Sequence, residues 1–330
     1  MYEQWQGVNL GGWLVLEKWM TPSVFSGVTA VDEYGLCKEL GPTKAPKLLD
    51  AHRSSFITEA DFAWIAQQGL NAVRLPIGSW VFGDEAPYVG AIGYVDRAFE
   101  WANKYGLQII LDLHGAPGSQ NGNDHSGRAG RKQWGSQVTI SQTLDVLEKL
   151  ATRYGGSAAL AAIEVLNEPS YRLGRRRLTS FYEQAYQRIR TRCDKRVAII
   201  FHDAFRPKRW DAILRPPVYE RVMIDHHYYQ VFGWMDKIRP LKNQLLRPQI
   251  LAKRITRLQR IRPAIIGEWS LALPQRIAQE KEYQKQYAAA QLEAMRAARG
   301  WFFWSYKTEG GGAWSYRDCV HRGWLPANVA

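Results

Sequence analysis

AIEVLNE, Ala162 to Glu168, is an apolar run that ends in a polar pair, and that ending sets the reading of the whole chain. Upstream of it, Thr139 to Tyr154 is periodic and Gly155 stops it. Downstream, Arg176 to Arg192 is periodic again before RVAIIFH, Arg196 to His202. Short apolar runs flanked by helical patterns predict alternating strands and helices. The alternation extends in both directions. Strands are predicted at Val8–Leu10, Asn71–Ile77, Gln108–His114, Ala162–Glu168, Arg196–His202, Arg221–Tyr229, Ala264–Ser270 and Trp301–Tyr306. A helix runs from Thr58, paired with Asp61 as a capping box, to Gln68 before Gly69. Val95–Tyr105 and Arg276–Arg299 are further helices, and Lys237–Arg260 is helical in part. Eight apolar strands of this kind predict an α/β fold, a single (β/α)8 TIM barrel with one domain over residues 1–330. Parallel strands covered on both faces should read as apolar runs, as these do. An open doubly wound sheet is the other arrangement, but no GxGxxG follows the first strand.

Hydrophobic residues make up 46% of the 330 and charged residues 23%, which excludes wholesale disorder and collagen-like chains. Cys37, Cys193 and Cys319 lie far apart with no CxxC, so buried free thiols are expected, with one bridge left open. No apolar stretch reaches the ~18 residues of a membrane span. The N-terminal stretch MYEQW has neither a basic nor an apolar signal region. The compartment therefore stays open between the cytoplasm and a mature or truncated secreted form.

The net charge of +13 favours acidic partners. Much of it is local: Lys237 to Arg262 holds nine Lys or Arg and no Asp or Glu. Ile238, Leu241, Leu245, Leu246, Ile250, Leu251, Ile255, Leu258 and Ile261 recur there at helical spacing. An outer barrel helix with its apolar side on the strands is expected. Its basic side could also contact an anionic surface; no nucleic-acid partner is expected. Fourteen Trp and sixteen Tyr either fill a large core or stack on sugar rings.

The strands end in groups that their apolar bodies do not foretell. Arg74 lies in the second, His114 ends the third and Asn167–Glu168 the fourth. His226–Tyr229 end the sixth, Glu268–Trp269 the seventh, and Trp304 lies in the eighth. In a barrel these ends converge on the face that carries catalytic loops. Burying each without a partner would cost roughly 2–7 kcal/mol, so a shared polar site is the cheaper arrangement. Two carboxyls, Glu168 and Glu268, facing each other across that mouth are what glycoside hydrolysis needs. An amide at Asn167 can reach a sugar 2-hydroxyl.

Rival chemistries find less support. Asp225–His226–His227, His114 and His202–Asp203 could ligate a metal, but neither HxH on an early strand nor HExxH is present. There is no GxSxG elbow and no GxxxxGK[ST]. No cofactor and no metal are expected. The glycine-rich stretch 115–135 is read as a loop over the barrel mouth.

With these residues in place, the chain resembles glycoside hydrolase family 5, and within it the exo-β-1,3-glucanases best known from fungi. The resemblance runs from Gly7 to at least Trp314. It rests on GVNLGGWLVLEKWMTPSVF (7–25), FITEADF (56–62), LNAVRLPIGSWVF (70–82) and LDLHGAPGSQNG (111–122), then EVLNEP (164–169), DHHYYQVF (225–232), IGEWS (266–270) and FFWSYKTE (302–309). The resemblance implies Glu168 as acid/base, kept protonated by partial burial and nearby negative charge, and Glu268 as nucleophile. It implies substrate contacts at Arg74, His114, Asn167, His227 and Tyr229, with Glu17 and Trp304 on the terminal sugar. Phe232 matches one half of an aromatic clamp; the other half falls near Asn123, where the fungal motif has Phe. The implied reaction is retaining, exo-acting release of terminal β-glucosyl groups from a β-glucan or β-gluco-oligosaccharide. Transfer to another acceptor, a glycolipid glucoside, and a non-catalytic carbohydrate-binding protein on this scaffold are the alternatives.

Overall fold

The computed structural model describes residues 4–210, 213–274 and 281–329. Strands β1 (Trp5–Asn9), β2 (Ala72–Gly78), β3 (Gln108–Gly115) and β4 (Leu160–Glu164) lie side by side. They continue through β5 (Ala198–His202), β6 (Val222–Tyr228), β7 (Ala264–Trp269) and β8 (Gly300–Phe303). All pair in parallel in chain order, and β8 returns to β1 with Gly7 opposite Phe302. The fold is a closed (β/α)8 barrel, not an open sheet.

Side-chain alternation along each strand gives two apolar layers. Val73, Leu75, Ile109, Leu111, Ile163 and Ile199 face outward into the large core shared with the helices. Their neighbours Ala72, Ile110, Ala162, Ile200, Met223, Ile265 and Phe302 form a second cluster inside the barrel. Both faces being dry explains why the strands read as apolar runs.

The helices are α1 (Glu33–Phe56), α2 (Glu59–Gln67), α3 (Ile92–Tyr105), α4 (Gln137–Tyr154) and α5 (Arg175–Arg190), then α6 (Trp234–Ile238), α7 (Leu241–Gln259), α8 (Lys281–Met295) and α9 (Tyr316–His321). The capping box of α2 forms as read: Asp61 Oδ2 accepts from the Thr58 backbone at 2.8 Å. The predicted helix start at Arg276 lies outside the described residues. All three cysteines are buried and free.

Several expectations are corrected. The sequence reading has no helix before Thr58, yet α1 spans 24 residues. Gly35, Gly41, Pro42 and Pro46 hide it, and the helix breaks at Gly41 (φ 70°). Burial of Leu36, Cys37, Ala45 and Leu49 overrides those poor formers. Between β5 and β6, where no helix is read from the sequence, the described residues hold a 3-10 turn, Pro207–Trp210. Strands four and eight end early, so Asn167, Glu168 and Trp304 sit just past β4 and β8 rather than in them. Backbone leaving the ladder there frees these side chains to turn into the mouth.

Candidate active site

The barrel interior changes character two residues beyond its apolar layer. On β2, Ala72 is followed inward by Arg74; on β3, Ile110 by Asp112 and His114; on β4, Ala162 by Glu164; on β6, Met223 by Asp225 and His227. Arg74 is fully buried at the centre of this upper layer. Its Nε donates to Glu164 at 2.8 Å, and its Nη atoms meet Asn9 at 2.9 Å, Asn167 at 2.9 Å, Glu268 at 3.2 Å and Asp112 at 3.2 Å. Burial works against its charge, but Asp112, Glu164, Glu268 and Asp225 hold the guanidinium protonated well above its ordinary range. One cation cannot neutralise so many acids, and protons must be held elsewhere. Burial pushes Glu164 well above the usual carboxylate range despite Arg74.

His227 joins the two glutamates. Its Nδ1 lies 2.7 Å from Glu168 Oε1 and 3.3 Å from Glu268 Oε2, so those oxygens lie at most 6.0 Å apart. Its Nε2 reaches Asp225 at 3.3 Å. Burial opposes charge on this ring, yet Glu268 and then Asp225 raise its pKa well above the usual histidine value. The same contact corrects one expectation. Burial alone would raise Glu168, but the hydrogen bond and charge of His227 outweigh it and hold the carboxyl below its ordinary range. The His227 contact thus favours the ionised form of Glu168 and the protonated form of the imidazole.

Glu268 is positioned from both sides, by Arg74 and by the Tyr229 hydroxyl, which donates to Oε2 at 2.8 Å. Gly267 makes this packing possible: a Cβ there would lie 1.9 Å from Asp225 Oδ2. Its N–H instead donates to Asp225 Oδ1 at 2.6 Å. Glu168 adopts φ +38°, a left-handed conformation costly for a non-glycine residue, as strained positions at functional sites often are.

A cavity of about 570 Å³ opens above the pair. Of the expected residues, Glu17, His114, Glu168, Tyr229, Phe232, Glu268 and Trp304 line it. Arg74, Asn167 and His227 are outside that lining set. Asn167 is fully buried, with Oδ1 held by Arg74 and Nδ2 3.4 Å from His114 Nε2, so it acts from behind the surface. Trp304 stacks on His114 with ring centroids 5.3 Å apart. Glu17 is held by Trp19 Nε1 at 2.8 Å; burial and then the Asp124 charge raise its pKa well above normal. Phe232 is 70% exposed and leans on Trp314 at 5.9 Å.

The lining also includes Trp19, Asn123, Asp124, His125, Phe205 and Trp314. The glycine-rich loop supplies three of these and is tied to the site. Gln120 Nε2 donates to the carbonyls of His114 at 2.7 Å and Asn167 at 2.9 Å, and Asn121 to that of Glu168 at 3.1 Å. His125 Nε2 comes within 3.4 Å of Glu168 Oε2. Sequence reading missed His125 and Phe205 as site residues; the only available signal for His125 was its place in that loop. Among the described residues two donor groups have the spacing to hold a cation, Glu168–His202–His227 and Glu164–Asp225–His227. In both, the ring nitrogens of His227 are already engaged by hydrogen bonds within the network, and in the second so is one oxygen of Glu164.

Comparison with known proteins agrees with this geometry. The family profile Cellulase (glycosyl hydrolase family 5) matches residues 42–310. The probable glucan 1,3-beta-glucosidase A of Aspergillus niger is 36% identical, the alignment covering 98% of this chain and 87% of that protein. The protein of the same name from Emericella nidulans is 37% identical, covering 98% and 90%. Among solved structures, rutinosidase from Aspergillus niger superposes with a TM-score of 0.85 at 22% identity, over 98% of each chain. An endoglucanase of Thermotoga maritima gives 0.64 at 17% identity, over 98% of this chain and 96% of that one. With a closed barrel, two bridged glutamates at its mouth and these relatives, the chain belongs to glycoside hydrolase family 5, a family of retaining enzymes.

Proposed function

We propose that this protein is an exo-acting β-glucosidase that removes terminal glucose from β-1,3-glucan or β-gluco-oligosaccharides, with Glu268 as nucleophile and Glu168 as acid/base. The bridging imidazole is the observation that carries this. One pair of facing carboxylate oxygens lies at most 6.0 Å apart, which is compatible with the ~5–5.5 Å carboxyl separation of retaining sites. Glu268 attacks the anomeric carbon while the leaving oxygen takes a proton from Glu168, supplied across the short His227 contact as the aglycone excludes water. Glu168, now ionised, takes a proton from water, which frees the sugar from the Glu268 ester. Buried Glu17 and the Trp304 ring bound the inner end of the cavity, where the terminal sugar would sit. The names of the curated relatives support the β-1,3 linkage.

Asn123 at the rim favours a second reading. A polar residue there, in the same cavity lining as exposed Phe232, offers no second ring for stacking of further sugars and suits a short β-glucoside, including a lipid-linked one. Release of glucose from β-1,2, β-1,3, β-1,4 and β-1,6 disaccharides and a glucosylceramide separates the two. Early accumulation of longer oligosaccharides from a β-1,3-glucan would show endo attack and overturn the exo assignment.

A further inference from the structure

We propose that α6 and the solvent face of α7 dock this protein onto an anionic lipid bilayer. The sequence leads one to expect the apolar side of Lys237–Arg262 to be spent on the barrel; Leu251 and Ile255 do pack into the core, but part of that apolar side stays outside. On α7 the buried stripe is Gln244, Pro248, Leu251 and Ile255. Leu246 and Ile250, one turn apart, face water at 51% and 66% exposure. On α6, Trp234 is 71% exposed, with Met235 and Ile238 beside it at 51% and 50%. The two helices meet through the ion pair of Asp236 with Arg247 and a bond from Gln244 Nε2 to the Asp236 carbonyl at 3.0 Å. Two separate apolar clusters thus belong to one clasped unit.

Lysines and arginines surround them. Lys237, Lys242, Lys253, Arg254, Arg257 and Arg260 are exposed, and among the described residues the ion pair of Asp236 with Arg247 is the only one in this segment. Around α4 the surface cations are paired. There Arg188 meets Asp145, Arg192 meets Glu148, Arg153 meets Asp96 and Lys149 meets Asp84. Those four cations are matched by acids, whereas among the described residues no ion pair reaches the exposed Lys242, Lys253, Arg254 and Arg257 of α7, which leaves their charge open to an anionic surface.

Charge alone would suit any polyanion. Exposed Trp, Met, Ile and Leu set among cations suit an interface that is anionic at its surface and apolar beneath, which a bilayer offers and a charged polymer does not. Position agrees with this. The helix after a barrel strand starts at the C-terminal face, so Leu246, in the first half of α7, lies toward the mouth, and Ile250 follows at the middle of the helix. Phe232, at the cavity rim, leads directly into α6. Docking would hold the mouth near glucosides carried at that surface, whichever linkage the enzyme cleaves.

The full chain can be sedimented with phosphatidylcholine vesicles with and without phosphatidylglycerol, at low and moderate salt. The expected result is binding at least about tenfold stronger to the anionic vesicles and weakened by salt. Joint Lys253→Glu, Arg254→Glu and Arg257→Glu should lower it about tenfold or more, as should Trp234→Ala with Ile250→Ser. Turnover of a soluble aryl β-glucoside, which reports folding, should stay unchanged in both variants. Equal, negligible binding to both vesicle types overturns the proposal. So does binding that charge reversal abolishes but Trp234→Ala with Ile250→Ser leaves intact, because that pattern marks a polyanion contact.

Discussion

The two halves of the barrel interior are made from opposite chemistry on the same strands. The lower half is filled by Ala72, Ile110, Ala162, Met223, Ile265 and Phe302. Two residues farther along, the upper half holds Arg74, Asp112, Glu164, Asp225 and Gly267. The lower half gains from leaving water and asks only for volume and shape. The upper half gains little from burial as such. Desolvation opposes the charge of Arg74 and His227, and like charges crowd around them. Such a network holds catalytic groups in place more than it stabilises the fold. Stability and activity should therefore separate along a single strand.

Glu268→Gln should have the largest effect: turnover of every glucoside should fall by roughly 10⁴-fold or more, as when other catalytic nucleophiles are removed. Thermal midpoint should hold or rise, since one of several crowded carboxylates is gone. The histidine titration supplies a finer reading. Glu268 is the foremost group favouring protonated His227, so its neutralisation should move the His227 NMR titration down in pH. An unmoved titration would break the electrostatic link between the two sites.

Glu168→Ala should lower turnover by roughly 10²–10⁴-fold on poor leaving groups and far less on activated aryl glucosides. Added azide should restore the activated reaction and give a β-glucosyl azide. An α-azide would mean inversion and would exchange or void the roles of the two glutamates.

Ile110→Ala probes the lower half on the strand that also carries Asp112 and His114. Destabilisation of about 2–5 kcal/mol is expected from urea unfolding, with turnover per folded molecule close to that of the parent. Equal loss of turnover would show that the two layers are not separable.

His125→Asn should have the smallest effect. His125 is one of the charges that lower Glu168, after burial, which opposes them, and after His227. Its removal should let the coupled Glu168–His227 pair hold its proton to higher pH, so the alkaline limb of kcat/KM should move to higher pH. A shift to lower pH, or none, would place His125 outside the electrostatics of Glu168.

Legibility in the sequence followed the range of the forces involved. The apolar runs from β2 to β7 and the Thr58–Asp61 box depend on neighbours a few residues away, and they were readable. Helix α1 was not, because Gly41, Pro42 and Pro46 argue locally against it and only burial of Leu36 and Leu49 against Leu16, Val24 and Phe25 argues for it. Glu168 and Glu268 were legible as polar groups ending apolar runs. His125 and Phe205 were not, since they lie in loops whose path the sequence pattern leaves open.

Protonation divides the same way. The residue types of the site, two glutamates, a histidine and an arginine near strand ends, are written in the chain, and so is the alternation that brings them to one mouth. Which group carries the proton is a matter of distance. His227 sits 2.7 Å from Glu168 and 3.3 Å from Glu268, and at that range in a buried site the interactions among the groups outweigh the intrinsic affinity of either carboxyl. The basic segment shows the same division at the surface. Its charge and helical period are properties of the sequence, but the pitch at which α7 meets the strands leaves Leu246 and Ile250 outside while burying Leu251 and Ile255. A helical period defines a stripe, and only packing in three dimensions decides which edge of that stripe faces water.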